Sequence, residues 1–307
     1  MKIIIAGGTG LIGKALVNQL LADKHSVVVI SRNPKNAKHL LPATEIIPWE
    51  KNIMRGHFEI SQAVINLAGA NIAGRIPFQM RWTDQRKAAI LESRVNAGNL
   101  ISEVFQITEN KPEVLIQSSA IGFYGPLGDD FVTEAFPNGN DFLSGIALKW
   151  EQATNSVEAM GVRRIVLRTG LVFSPDGGIF PLLKLPFQVF AGGKIGTGRQ
   201  FLSWIHIQDV VNAILFLINS RQLSGIINLT APNPIDQQTF AKLLGKTMRR
   251  PSFFWIPGFF PKLFLGEAST LVLDGQRVLP ERLLQEGNIF QYEKLTEALA
   301  ALLEKRH

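Results

Sequence analysis

Cysteine is absent from the chain. That excludes disulfides, thiolate nucleophiles and cysteine-ligated zinc or iron–sulfur centres. The five histidines, at 25, 39, 57, 206 and 307, form no His-x-x-x-His pair and join no carboxylate cluster, so no metal is expected. Only two tyrosines occur, Tyr124 and Tyr292, which limits where a phenol can act as acid or base. Long hydrophobic runs are missing as well. The nearest, Phe253 to Leu265, is broken by Pro257, Gly258, Pro261 and Lys262, so no membrane span is expected. Met1-Lys2 leads straight into an apolar run, leaving no room for a signal peptide, and the expected location is cytoplasmic. Acidic residues are the minority charge, 25 against 32 basic, for a net charge of +7. The basic residues are dispersed, with only Arg249-Arg250 and Lys305-Arg306 as local pairs, which argues against a nucleic-acid partner. Attraction for a polyanionic cofactor accounts for the excess.

What is present is concentrated first in residues 2 to 32. Ile3, Ile4 and Ile5 form a β-branched run suited to a strand buried on both faces of a parallel sheet. It stops at Gly7-Gly8-Thr9-Gly10-Leu11-Ile12-Gly13, and Ile12, Leu16 and Leu20 then recur at helical spacing. Each glycine has its own reason. Gly7 allows a sharp turn off the strand, Gly10 lets a pyrophosphate approach the backbone, and Gly13 lets the helix pack closely. Backbone N–H groups around Thr9, Leu11 and Ile12 at the helix start would face the anion, aided by the helix dipole. A second strand, Val27 to Ile30, follows and leads into Ser31, Arg32 and Asn33, with no carboxylate until Glu45. An acid there would hold a ribose 2′-hydroxyl and repel a 2′-phosphate, whereas Arg32 can bond that phosphate bidentately. The expected cofactor is therefore NADP(H).

Further strands are expected at Glu45 to Trp49, at Ala63 to Gly69, at Val114 to Gln117 ending in Ser118-Ser119-Ala120, at Arg164 to Leu167 and at Gly225 to Leu229. Helices are expected from Thr83-Asp84 to about Ile107, from Phe142 to Met160, after Asp209, from Phe240 to Met248 and near Leu295 to Leu303, with Asn71 to Trp82 as a loop. Leu67, Ala68 and Gly69 end the fourth strand on the side where such sheets bind ligands, so their backbone would lie beside the cofactor. Alternating strands and helices predict an α/β fold, a doubly wound parallel Rossmann sheet with a smaller C-terminal substrate domain. The expected division is 1–172, joined by 204–229, for dinucleotide binding, with 173–203 and 230–307 forming the smaller unit. Phe253, Phe254, Trp255, Phe259, Phe260 and Phe264 are expected to be the core of that unit, with a flap for an apolar ligand or a partner surface as the alternatives.

Gly7-x-x-Gly10-x-x-Gly13, Asn66-Leu67-Ala68-Gly69, Asn96, Ser118-Ser119-Ala120, Tyr124-Gly125 and Arg168-Thr169-Gly170 together resemble the extended short-chain dehydrogenase/reductase superfamily. Ser93-Arg94, Trp150-Glu151, Gly192-Gly193-x-x-Gly196-x-Gly198-x-Gln200, Ser203-Trp204-Ile205-His206, Asn228-x-x-Ala231-Pro232 and Gln276-x-Val278-x-Pro280 resemble its atypical "epimerase family" branch, sugar-nucleotide-epimerase-like, with some members described as cell-division inhibitors. The resemblance implies a Rossmann fold and NADP(H). It implies Arg94 near cofactor phosphate or ribose, and a Leu171 backbone N–H bonding the carboxamide. It also implies that Asn96 supports the substrate end through the helix backbone. The usual Tyr-x-x-x-Lys is missing. Lys149 is preceded four residues earlier by Gly145, and the alternative register pairs Leu143 with Ala147. The candidates left for proton transfer and substrate orientation are Ser118, Ser119, Tyr124 and Lys149. Two functions are consistent with this pattern. One is an oxidoreductase or epimerase on an unidentified small substrate. The other is a weakly or non-catalytic NADP(H)-binding regulator, tied by the resemblance to cell division. Oligomerisation is left open.

Overall fold

The computed structural model describes residues 1–72 and 81–304. Residues 73–80 of the expected loop, and the Lys305-Arg306 pair, lie outside the described residues.

The apolar run at the start forms β1 (Lys2–Ala6), and α1 (Leu11–Ala22) returns the chain to β2 (Ser26–Ile30). Then follow α2 (Pro34–Leu40), β3 (Glu45–Ile47), α3 (Lys51–Phe58), β4 (Ala63–Asn66), α4 (Asp84–Ile107) and β5 (Val114–Ala120). A two-residue strand, β6 (Phe131–Val132), precedes α5 (Phe142–Gln152) and β7 (Arg163–Thr169). The strand at Gly225–Leu229 pairs with β7, giving seven parallel strands in the order 225–229, β7, β5, β4, β1, β2, β3. The order reverses between β1 and β4, which opens a crevice at their carboxyl ends.

Both faces of this sheet are covered, as the unbroken β-branched runs require. On one side Leu16, Val17 and Leu20 of α1 pack with Val210, Ile214 and Leu217 of the helix Ile207–Asn219 against Ile3, Ile5 and Ile65. On the other, Met54, Phe58, Ile101 and Phe105 cover Ile4, Val28 and Val64. A separate core gathers Phe173, Phe180, Trp204, Phe240, Leu244 and Leu299, all from residues after 170.

The aromatic stretch 253–264 is not in that core. Phe253 is 79% exposed, Trp255 62% and Phe264 62%, so the expectation that these rings fill the smaller core is corrected. The helix expected to run to Met160 also stops early, at Gln152. Arg164 explains the stop. It donates to the Glu151 carbonyl and, through Nε, to the Thr154 hydroxyl at 2.9 Å, diverting an acceptor that would continue the helix. Among the described residues no helix is long and apolar enough to cross a membrane.

Candidate functional site

The glycine loop is a tight cradle. Gly7 has φ +81°, and a Cβ there would lie 2.7 Å from the Leu67 carbonyl. A Cβ on Gly13 would lie 2.3 Å from the Gly7 oxygen, so α1 can rest on the loop only as glycine. Gly10 differs. It is exposed, and a Cβ there would meet only the Gly7 oxygen, at 3.3 Å. The space in front of Gly10 is thus open on the side where α1 begins. Gly10 is the N-cap of that helix, no side chain caps it, and its first turn carries no acid. The N–H groups of its first turn are therefore placed for an anion. Arg32, beyond β2, is exposed and forms no ion pair among the described residues, and Ser31 Oγ accepts the Asn33 N–H at 3.1 Å. These observations fit a dinucleotide with a charged adenosine end.

β4 ends in a fixed shape. Asn66 donates to Gln117 Oε1 at 2.9 Å and accepts the Ala68 N–H at 3.1 Å. Leu67, Ala68 and Gly69 therefore leave the sheet beside the glycine loop. Gly69 lies against Arg94, whose Cζ would be 3.2 Å from a Cβ placed there.

Arg94, on α4, is only 6% exposed and forms no salt bridge among the described residues. One Nη donates to the Ile90 carbonyl at 2.9 Å, its plane lies over Trp150 at 4.7 Å, and Nε has no partner. Burial without a counter-ion lowers its pKa to about 10. Trp150 Nε1 is buried and unpartnered too. Both residues line a cavity of about 210 Å³ at the carboxyl ends of β5 and β7. A buried guanidinium with no counter-ion among the described residues, lining a mostly apolar cavity, favours an acceptor there, preferably anionic.

The remaining lining decides the chemistry. Ala120 represents the end of β5, and Leu143 and Ala147 represent α5. The alternative register is the one whose two positions face the cavity, and neither carries a phenol or an ammonium. The lining carboxylates, Asp141 and Asp274, accept from Ser144 N at 2.8 Å and from Thr270 Oγ1 at 2.6 Å.

The four expected catalytic residues are not brought together around this cavity. Lys149 is exposed on the outer face of α5, in an open depression with Asn96 and Asn99. The Asn96 side chain is exposed in the same depression. Ser118 is buried within the sheet, 7% exposed, and does not line the cavity. Ser119 and Tyr124 belong to an interior network. Ser119 Oγ donates to Glu151 Oε1 at 2.6 Å, and Arg168 grips both Glu151 oxygens at 2.9 Å. Arg168 also donates to the Tyr124 hydroxyl at 3.2 Å, and that hydroxyl donates to Asn228 Oδ1 at 2.6 Å. Tyr124 is 1% exposed because the short 3₁₀ turn Ile121–Tyr124 rotates its ring inward. Burial raises its pKa, with Arg168 and Asn228 opposing. Burial also opposes the charge of Arg168, but the bonds and attraction of Glu151 hold its pKa above the ordinary value. Leu171 lines the same cavity. Its N–H donates to the Ser203 carbonyl at 2.8 Å, where β8 (Leu171–Ser174) pairs with the strand Trp204–His206, and is not free for a carboxamide.

Elsewhere, His206 Nδ1 accepts the Gln208 N–H at 3.1 Å and Asp209 accepts the N–H groups of Gln291 and Tyr292. Both hold backbone, in line with a capping role. What sequence reasoning missed is Trp150 and Glu151 as separate functions, one facing the cavity and one locking the interior. The adjacent aromatic and acid on a helix, with two buried-strand arginines nearby, was the available signal.

Residues 3–229 match the NAD dependent epimerase/dehydratase family, and 256–302 match a domain of unknown function, DUF1731. An epimerase family protein of Staphylococcus epidermidis is 38% identical over 304 residues, covering 99% of each chain. The chloroplastic epimerase family protein SDR39U1 homolog of Arabidopsis thaliana is 35% identical, covering 99% of this chain and 87% of its own. In three dimensions the chain superposes on the human epimerase family protein SDR39U1, solved with NADPH, with TM-score 0.89 and 29% identity, covering 98% and 99% of the two chains. The chain belongs to the NAD dependent epimerase/dehydratase family, among the epimerase family proteins that include the SDR39U1 homologues.

Proposed function

We propose that this protein is an NADP(H)-dependent oxidoreductase that acts on a small, largely apolar compound carrying a carbonyl conjugated to a double bond. The observation that carries the reading is the Arg94 guanidinium, 6% exposed and with no salt bridge among the described residues, lining a cavity with Trp150, Ala120, Leu143 and Ala147. The open glycine loop and the free Arg32 support NADP(H), as does the likeness to a relative solved with NADPH. Arg32 would meet the 2′-phosphate, and the N–H groups after Gly10 the pyrophosphate.

When bound, the nicotinamide supplies or accepts hydride. The chain contributes placement and charge. Leu143, Ala147 and Ile146 exclude water from the substrate body. The Arg94 guanidinium, held over the Trp150 ring, stabilises negative charge as it develops on the carbonyl oxygen. Since no tuned phenol faces the cavity, a conjugated oxyanion that solvent can later protonate suits the site better than an alkoxide needing immediate protonation. Tyr124 and Ser119 serve by fixing α5 against β5 and β7.

Purified protein should oxidise NADPH with members of a panel of small α,β-unsaturated carbonyl compounds. Tyr124→Phe should leave kcat unchanged, while Arg94→Met should lower kcat/KM by about 10²–10³. Loss of turnover in a fully folded Tyr124→Phe protein would overturn the reading. The bare cavity also favours a second reading, a regulator that binds NADP(H) without turnover. Tight NADPH binding with no oxidation across the panel would select it.

A further inference from the structure

The smaller lobe carries an apolar surface that the proposed chemistry does not use. Phe190 at the end of the helix Phe180–Gln188, the strand Phe254–Ile256 and the helix Phe259–Leu265 present their rings to solvent. Gly193–Ile195 pairs with Phe254–Ile256, Phe253 stacks on Phe254 at 4.7 Å, Phe259 stacks on Phe260 at 4.2 Å, and the Arg250 guanidinium lies 4.3 Å from the Phe190 ring. Soluble monomers rarely expose so many large apolar side chains together.

The charge carried by the segments that build this face has one sign. No Asp or Glu occurs between Asp176 and Asp209 or between Asp236 and Glu267, whereas those two segments hold eight lysines and arginines. None of the eight forms a salt bridge among the described residues. Arg249, Arg250 and Lys262 are exposed. At the edge, Glu267 is paired with Lys87. A second copy docking through the same face would set these positive groups against their own counterparts, because a two-fold interface is self-complementary.

We infer that this face docks on the surface of an anionic lipid bilayer. Phenylalanine and tryptophan side chains settle at the headgroup–acyl boundary, and lysine and arginine beside them gain from anionic headgroups. The contact is peripheral, since the rings sit on a short ribbon and a seven-residue helix.

Full-length protein sedimented with vesicles of phosphatidylcholine alone, and of phosphatidylcholine mixed with phosphatidylglycerol, tests this. The protein should pellet with the mixed vesicles, stay in solution with the neutral ones, and be released by salt. The pair Arg250→Glu, Lys262→Glu should lower partitioning by at least about tenfold. The pair Phe253→Ser, Trp255→Ser should do the same with NADPH affinity and melting temperature intact. Absence of binding to mixed vesicles would overturn the inference. So would a lipid-free dimer that only the Phe253→Ser, Trp255→Ser pair dissociates, which would assign the face to a second copy. Vesicle binding and cofactor binding are read separately, so failure of one leaves the other standing.

Discussion

Arg94 is a buried cation whose charge no carboxylate among the described residues balances. A pKa lowered to about 10 corresponds to ~3 kcal/mol against the charged form in the folded state. The sign is that of a depressed base: the charge costs stability at every pH below about 10, and an anionic or carbonyl ligand relieves it. Arg94→Met should therefore melt at or above the wild-type temperature and keep its NADPH affinity while kcat/KM falls, from loss of a charge-assisted bond to the substrate oxygen. A lower melting temperature with unchanged kcat/KM would make Arg94 structural. Tyr124 is the opposite case. Tyr124→Phe leaves Asn228 Oδ1 and one Arg168 nitrogen without a partner, so about 1–3 kcal/mol of stability should be lost in urea unfolding. This difference between the two residues was not legible in the sequence. Both are polar residues near the carboxyl ends of strands, and only the inward turn at Ile121–Tyr124 separates interior from cavity.

At the scale of elements, α5 is held by its acid. Glu151 ties it to Ser119 on β5 and Arg168 on β7, all buried. Glu151→Ala would leave Arg168 charged and unpaired, and should cost about 3–5 kcal/mol. The glycine loop allows a sharper comparison. Gly13→Ala forces a backbone collision and should destabilise the protein, whereas Gly10→Ala should fold and selectively weaken NADPH binding. Equal loss of stability in both would contradict the assignment of Gly10 to the pyrophosphate. This element was readable because its signals are local: a β-branched run, three spaced glycines and a helical period. The register of α5 was not, since Lys149 and Ala147 are both plausible on a helix until β5 and β7 determine which face is covered. Likewise, strand pairing between Leu171–Ser174 and Trp204–His206 takes the Leu171 N–H, and such pairing is non-local.

For the whole molecule, the parallel sheet and the reversal at β1 and β4 followed from alternation, whereas the exposure of residues 253–264 did not. An aromatic cluster reads as core unless its surroundings are known. Global stability carries a pH signature from Glu134, whose carboxyl is raised by burial despite accepting the N–H groups of Asn228 and Arg282. A raised acid favours the fold at low pH and loses that contribution as pH rises through its folded pKa. Glu134→Gln should therefore gain melting temperature relative to wild type as pH rises above the ordinary carboxyl range. With Leu143 and Ala147 on the cavity, epimerisation of UDP-glucose should be absent or very slow. The central claim, that this sheet is built for NADP(H), is tested most directly by fluorescence titration of the wild-type protein with NADPH and NADH. Arg32, with no carboxylate beside it, predicts tighter NADPH binding by about 1.5–3 kcal/mol, reduced in Arg32→Ala. Equal affinities for the two nucleotides in the wild type would contradict it.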